Sequence, residues 1–524
     1  MAMKIKNLDF HESQHSTKLP KSSISSGKIK ILVWLDFGPY AYFNLGMILE
    51  LSKIKDFEFI GITTIKKDYK FFKEQKLVKF EKLFYYPDCY LNKSSYDITK
   101  LKKFENKYKL NLWQDIFSER SFYKYWVNFH KFSKNEILSI IESSIIFFEK
   151  ILKDTQPDVV IMQQPGENVS NLLLYKISHQ LQIKTLMYNV LYTHDKIIIS
   201  NNLYSREISE NFLNLINNFK KFNSDLDPHF LQTNSFLKSM NVISTFNSNT
   251  RNYLQKIKYS IKRLWIKPEP IYINEGKTPL KIFKNKIKNY FLINSRKKFL
   301  ELNSNKIITD KNFFYFPLQG EPESTVMVKC PYFSDVVVLI QNIAKSIPIN
   351  YVLYVKEHPI QKQKSFRSKS VYQKIIDIPN VKLFNPDVNA QELISKSTAV
   401  FCLAGATGFE ALFHKKPVIL FSDEYYDVHS MVFKAKNFSE LSLLIKRAID
   451  SNDFNDFELN ALLKATKNQS LDIPFFLMLK DAIIVSSIQN ELNTQKTTEF
   501  FEIFFQNYLY YFSLIAKDIF KKIS

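Results

Sequence analysis

The stretch Tyr351-Val-Leu-Tyr-Val-Lys-Glu-His-Pro359 ends an apolar run on a lysine and an imidazole two residues apart. If that run is a strand of a parallel sheet, Lys356 and His358 arrive at its carboxyl edge, where open α/β sheets bind their ligands. Either side chain can hold a phosphate or protonate a leaving oxygen, and Pro359 ends the strand and fixes the exit of the loop. A surface histidine after a strand is the plainer reading, and it loses ground only because of a second stretch. In Phe401-Cys-Leu-Ala-Gly-Ala-Thr-Gly-Phe-Glu-Ala-Leu412 an apolar run passes through small residues into a helix. Backbone N–H groups at Thr407 and Gly408 would point at an anion there, and Gly405 and Gly408 would let it approach closely. Glu410, one turn in, can accept hydrogen bonds from ribose hydroxyls or merely complement the helix dipole.

A third loop, in Phe314-Tyr-Phe-Pro-Leu-Gln-Gly-Glu-Pro-Glu-Ser-Thr325, carries Gln319, Glu321 and Glu323. These carboxylates can act as base, nucleophile or sugar-hydroxyl acceptor near an interdomain cleft, or cap the helix that follows. In the first half of the chain Asp36 and Glu167 stand just after apolar runs and would face the same cleft if two domains oppose each other. Capping or solvation is as good an account of each of these acids taken singly.

The elements that must position these loops are legible as a rhythm. Lys30–Leu35 reads as a strand, 41–53 as a helix and Phe57–Thr63 as a second strand, followed by a strand at 157–162, a helix near 171–181 and a strand at Lys184–Val190. The second half repeats it: strands at Phe313–Pro317, 351–356, Val381–Phe384, 399–403 and 417–421, with helices at about 332–346, near Tyr372, at Ala390–Lys396 and at 408–413. Strands alternating with helices imply parallel sheets covered on both faces, hence an α/β fold of two doubly wound domains. The expected division is a flexible tail at 1–27, a first domain at 28–245, a basic helical insert at 246–305, a second domain at 306–465 and C-terminal helices at 466–524.

The composition narrows the class. With 524 residues, 45% of them hydrophobic and 24% charged, the chain is a folded protein of two or three domains. A net charge of +22 would draw it to anions, but only seven of its 73 cationic residues are Arg, and nucleic-acid readout leans on Arg forks. No nucleic-acid partner is expected. Cys89, Cys330 and Cys402 are isolated, so neither a disulfide framework nor a cysteine zinc site is indicated, and a reducing cytoplasm fits. The N-terminus lacks the apolar core of a signal peptide, and no apolar run is long enough to span a bilayer.

Contact with an anionic membrane surface is a further expectation, at 251–298 or 500–522. Arg251–Lys298 holds fourteen Lys or Arg against two Glu, and in Arg251–Trp265 the apolar residues Tyr253, Leu254, Ile257, Ile261, Leu264 and Trp265 recur at helical spacing. Phe500–Phe520 is aromatic-rich and ends in Lys517, Lys521 and Lys522. An ordinary amphipathic helix packed on the protein accounts for either stretch as well.

Taken together, Pro317-Leu-Gln319 with its downstream acids, then Val355-Lys-Glu-His-Pro359, then Ala404-Gly-Ala-Thr-Gly-Phe-Glu-Ala-Leu-Phe-His-Lys-Lys-Pro-Val-Ile419, resemble the capsule polysaccharide biosynthesis family that includes bacterial Kdo transferases. The likeness covers mainly 310–430 and is most specific over 356–421; the first domain has no motif that can be matched. The resemblance implies a GT-B-like glycosyltransferase, two Rossmann-like domains facing a cleft, with the donor nucleotide in the second and the acceptor in the first. It implies no catalytic metal and no cofactor, a CMP-type nucleotide sugar of Kdo or a related acid sugar being the donor substrate. By position, Gln319, Lys356, His358, Pro359, Gly405, Thr407, Gly408 and Glu410 would form the donor site, with His358 on the phosphate and Glu410 on the ribose. Catalysis would fall to His358, Glu321, Glu323, Glu167 and Asp36; the family commonly has Asp shortly after the Gln, where this chain has Glu321 and Glu323. The acceptor would be a glycan or lipid-linked glycan, met at the inner face of the plasma membrane. Two alternatives stay open: a polyol-phosphate transferase using CDP-glycerol or a related donor, and a non-enzymatic basic protein that binds membrane or nucleic acid.

Overall fold

The computed structural model describes residues 28–90, 95–122, 129–166, 168–193, 195–218, 272, 276–320, 324–364, 366–451, 454–488 and 494–524. β1 (Ile29–Asp36), β2 (Phe57–Thr63), β3 (Phe80–Tyr85), β4 (Val159–Gln163), β5 (Lys184–Val190), β6 (Lys196–Ser200) and β13 (Leu471–Asp472) form a seven-stranded sheet of order β13-β6-β5-β4-β1-β2-β3. β7 (Phe313–Pro317), β8 (Val352–Lys356), β9 (Val381–Phe384), β10 (Val400–Cys402), β11 (Val418–Leu420) and β12 (Val432–Lys434) form a second, of order β12-β11-β10-β7-β8-β9. Both sheets are doubly wound: the chain enters at the centre, builds to one edge, then returns beside its first strand and builds the other way. The two domains and their facing cleft are the GT-B-like arrangement expected.

Burial on both faces explains the near-continuous apolar strands. Along β1, Ile31, Val33 and Leu35 enter the core beneath the helix Pro39–Ile54, whereas Leu32 and Trp34 enter the core beneath the helix Lys134–Thr155. β7 divides in the same way, Phe314 and Phe316 to one face, Phe313 and Tyr315 to the other. Successive strand side chains point to opposite faces, so one run of aromatic residues fills two layers.

Two features differ from the sequence expectations, and a third fixes what the expectations had left open. The first sheet is not wholly parallel: β6 pairs antiparallel with β5, because the five residues between them are too few for a crossover helix. The helix Arg206–Asn218, expected as part of the first domain, packs on the helix Asp456–Gln469, and its Ile208 and Phe212 lie in the second domain's core with Leu412 and Tyr426. The C-terminal helices return to the first domain: β13 adds to β6 (Leu471↔Ile197), and the helices Phe475–Ile488 and Leu509–Ile523 cover Pro39–Ile54.

That return corrects one membrane expectation. In 500–522 the side chains of Phe501, Phe504, Phe505, Phe512, Ile515 and Ile519 are buried in the first domain's core, so the apolar face read as membrane-facing is occupied by protein. Arg251–Trp265 lies outside the described residues. Among the described residues no helix is long and apolar enough to cross a membrane.

The closest approach in this packing is at Gly46, where an added Cβ would come within 2.5 Å of the Phe512 ring. Gly46→Ala therefore lowers the unfolding free energy by about 1–3 kcal/mol through overpacking. Urea unfolding measures it, and Phe512→Leu in the same chain, by making room, recovers part of the loss.

Candidate active site

The strand order of the second sheet reverses between β7 and β10, and the loops leaving β7, β8 and β10 meet at that point. Gln319 Nε2 donates to the Ala404 carbonyl at 3.0 Å, bridging the crevice. Leu318 N–H donates to the Lys356 carbonyl at 2.9 Å, and the Gly320 Cα faces the His358 ring closely enough for a Cβ to lie 3.5 Å from Nδ1. The His358 Nδ1 accepts the Ile360 N–H at 3.1 Å, so the neutral ring carries its proton on Nε2 as a donor.

Beneath this loop lies a buried ionic knot. Glu357 is fully buried; its carboxylate accepts the His358 N–H and the Tyr372 hydroxyl, each at 2.6 Å, and pairs with Arg367 Nη1. Arg367 Nη2 also donates to the Gln319 carbonyl at 2.6 Å, so one guanidinium ties the β7 loop to the β8 loop. A planar, permanently charged fork suits that double task.

Lys356 and Glu410 form the other charged layer. Burial pushes the Lys356 ammonium down to about 8, against the pull of Glu357 and Glu410. Burial likewise raises the Glu410 carboxyl, opposed by the Gln391 amide, which donates to it at 2.7 Å, and by Lys356. His414 holds the far side of Gln391 at 2.7 Å.

The helix Ala406–Phe413 begins at Gly405, whose φ of 112° and ψ of −166° are open essentially only to glycine, and no side chain caps it. The Tyr426 hydroxyl pins the turn by donating to the Gly405 carbonyl at 2.9 Å, and its oxygen would stand 2.5 Å from a Cβ on Gly408. Gly405, Ala406 and Thr407 are half-buried, while Gly408 is buried with its N–H directed to the Cys402 sulfur. The open end of the helix is thus 405–407, with Thr407 rather than Gly408 at its mouth. Burial pushes the Cys402 thiol up to about 12, so it stays protonated.

In the first domain the strand order reverses between β1 and β4, and there too a glutamine bridges the gap: Gln163 Nε2 donates to Asp36 Oδ2 at 2.6 Å. Asp36 is fully buried at a φ of 63°, behind the surface. A cleft of about 190 Å³ opens above it, lined by Tyr40, Gln163, Gln164, Gly166, Tyr188 and Asn189 of the first domain, by Phe475 of the C-terminal return, and by Lys329 of the second domain. The Lys329 ammonium lies 3.1 Å from both Glu424 oxygens. Arg206, at the start of the helix that packs into the second domain, binds Asp423 at 3.0 Å and Asp427 at 2.8 Å.

The structure thus gathers Gln319, Lys356, His358, Gly405, Thr407 and Glu410 at one sheet edge, with Pro359 exposed on the rim. Asp36 is separate, below the cleft, and Glu167, Glu321 and Glu323 lie outside the described residues. The sequence reading passed over Glu357, Arg367, Tyr372 and Lys329. Glu357 carried a usable signal: period-2 alternation sends it away from Lys356 and His358, and an acid on the inward side of an apolar strand must find a cation.

Residues 235–440 match the family model described as capsule polysaccharide biosynthesis protein, a span that includes all the loops gathered here. No curated protein matches the sequence. Among solved structures, a KpsC β-Kdo 2,7-transferase of Thermosulfurimonas dismutans is 12% identical over 71% of this chain and 87% of its own, with a TM-score of 0.31. Its 2,4-transferase counterpart is 14% identical over 59% and 79%, at 0.32. A UDP-GlcNAc 2-epimerase of Methanocaldococcus jannaschii is 13% identical over 84% and 99%, at 0.25. None of these superpositions is close enough to transfer a residue or a substrate.

Removing one member of the buried knot strands the other. Arg367→Met lowers the unfolding free energy by about 3–5 kcal/mol in urea titrations, and pairing it with Glu357→Gln restores much of that loss. Lys356 gives a pH signature of defined sign. Its folded pKa of about 8 lies below the ordinary 10.5, so between those values the unfolded chain binds more protons and stability rises with pH. The contribution reaches about 3 kcal/mol at most; it is read as the wild-type rise from pH 8 to 10.5 minus the rise in Lys356→Met.

Proposed function

On the premise that residues 235–440 belong to the capsule polysaccharide biosynthesis family, we propose that the protein is a glycosyltransferase of surface-polysaccharide assembly. Its donor is a nucleotide-activated sugar, of the CMP-linked acid-sugar class, and its acceptor a glycan or lipid-linked glycan. The observation that supports this best is the convergence of Lys356, His358 and the uncapped start of the helix Ala406–Phe413 at the point where the second sheet reverses order.

Transfer breaks the bond between the anomeric carbon and a phosphate oxygen, and the nucleotide leaves with the electron pair. The charge that develops on the phosphate falls among three groups already in place: the Lys356 ammonium, the Nε2–H of His358 and the first N–H groups of the helix. Because the Glu357 knot fixes the backbone on either side of His358, the imidazole needs little reorganisation as charge grows. The acceptor hydroxyl forms the new bond to the anomeric carbon and gives its proton to a carboxylate, for which Glu167, Glu321 and Glu323 are the candidates. The acceptor occupies the cleft above Gln163, which residues of both domains line.

Thermal unfolding in the presence of CMP, CDP, UDP and GDP checks the donor class. CMP alone raises the Tm, and the rise shrinks as pH climbs through about 8 and Lys356 loses its proton, although the fold itself gains stability there. His358→Ala keeps the Tm of the free protein and loses transfer by about 10²–10³-fold. A rise with a nucleoside diphosphate instead moves the donor to that class, and no rise with any nucleotide sinks the proposal.

A further inference from the structure

The helix Pro279–Asn303 bridges the two domains along the flank of the molecule. Its beginning rests on the first domain, where Lys281 Nζ donates to the Phe129 carbonyl at 2.6 Å. Its end rests on the second, where Arg296 Nη1 donates to the Phe366 carbonyl at 3.0 Å and Leu300 enters the core. Leu300 is the one buried residue among its 25. The side turned to the protein carries the partly buried residues 282, 285, 289, 292, 293, 296 and 299.

The opposite side carries Leu280, Phe283, Ile287, Tyr290 and Phe291, exposed by 73, 62, 48, 65 and 66%. Their spacing sets them in one stripe along the outward face. On a helical projection Lys284 and Lys288 flank one border of the stripe and Lys286 and Lys297 the other. From Gly276 to Lys298 the sequence has eight Lys or Arg and no Asp or Glu. Lys284, Lys286, Lys288 and Lys298 have no carboxylate partner among the described residues.

We propose that this outward face is a docking surface for an anionic lipid membrane. The stripe enters the boundary between headgroups and acyl chains, and the lysines reach sideways to lipid phosphates while their methylene stems stay on apolar surface. A second copy of the chain fits the face badly, since a two-fold contact would set the lysines bordering one stripe against those bordering the other. Nucleic acid would use the cations but leave five large apolar side chains without a partner. Because the two ends of the helix rest on different domains, docking holds both beside the lipid surface with the helix axis parallel to it. This rests on the helix alone and does not depend on the transferase reading.

The test is co-sedimentation of the full chain with phosphatidylcholine vesicles, with and without phosphatidylglycerol. Binding is expected only when phosphatidylglycerol is present. It falls at least ~10-fold in Phe283→Ser/Ile287→Ser/Phe291→Ser and in Lys284→Glu/Lys288→Glu, both keeping the wild-type Tm because these positions are exposed. Equal binding of wild type and the serine variant would assign the attraction to basic surface elsewhere and overturn the proposal. So would absence of vesicle binding, or a serine variant that turns a dimer into a monomer while binding vesicles unchanged.

Discussion

A strand buried on both faces that ends in consecutive opposite charges sets the terms for the candidate site. Lys356 and Glu357 both lie out of water, and neither charge is tolerable there without partners. Alternation sends them to opposite sides, so two separate sets of partners are required. Glu357 is satisfied by Arg367, Tyr372 and the His358 N–H; Lys356 lies in the field of Glu410, itself held by Gln391. Meeting those needs draws the β7, β8 and β10 loops together, and the gathering that results is the arrangement an anion would meet. Stabilising the strand end and preorganising the site are one physical event.

The same economy holds between the domains. Leu191, Ile198, Ile208 and Phe212 come from the first half of the chain yet lie in a core with residues of the second sheet, and the C-terminal helices complete the first domain's core in return. The chain crosses between domains and comes back, so each domain's core includes side chains encoded far from it. Arg206 with Asp423 and Asp427 adds a partly buried ionic tie on the same side. The cleft is therefore bounded by surfaces whose relation is set by shared packing. Its lining draws on Gln163, Phe475 and Lys329, which lie in three separate parts of the sequence.

Both sheets bridge their point of reversal with a glutamine. In the second the amide spans from the β7 loop to the Ala404 carbonyl; in the first it spans from the end of β4 to Asp36. An amide is neutral and long enough to cross between diverging loops, so it can satisfy a buried acceptor without adding charge. At Asp36 the consequence is that a buried carboxylate oxygen is tied to Gln163, which itself lines the cleft.

Much of the fold was legible in the linear chain because short apolar runs alternating with helical spacing leave few arrangements other than doubly wound sheets. The gathering of the candidate-site residues was legible for a related reason: a cation, an imidazole and a glycine-rich turn each directly follow a strand, and strand ends converge in this fold. What the sequence could not show was any partnership across long separations. Glu357 with Arg367, Lys329 with Glu424, and Phe512 against Gly46 pair residues that no local pattern connects. Nor could it tell whether an amphipathic stripe faces protein or solvent. The stripe in 500–522 is buried and the one in 279–303 is exposed, a difference that helical spacing alone does not carry. Periodicity fixes which residues share a face of a helix; only the tertiary structure decides what that face meets, because that depends on where the chain returns.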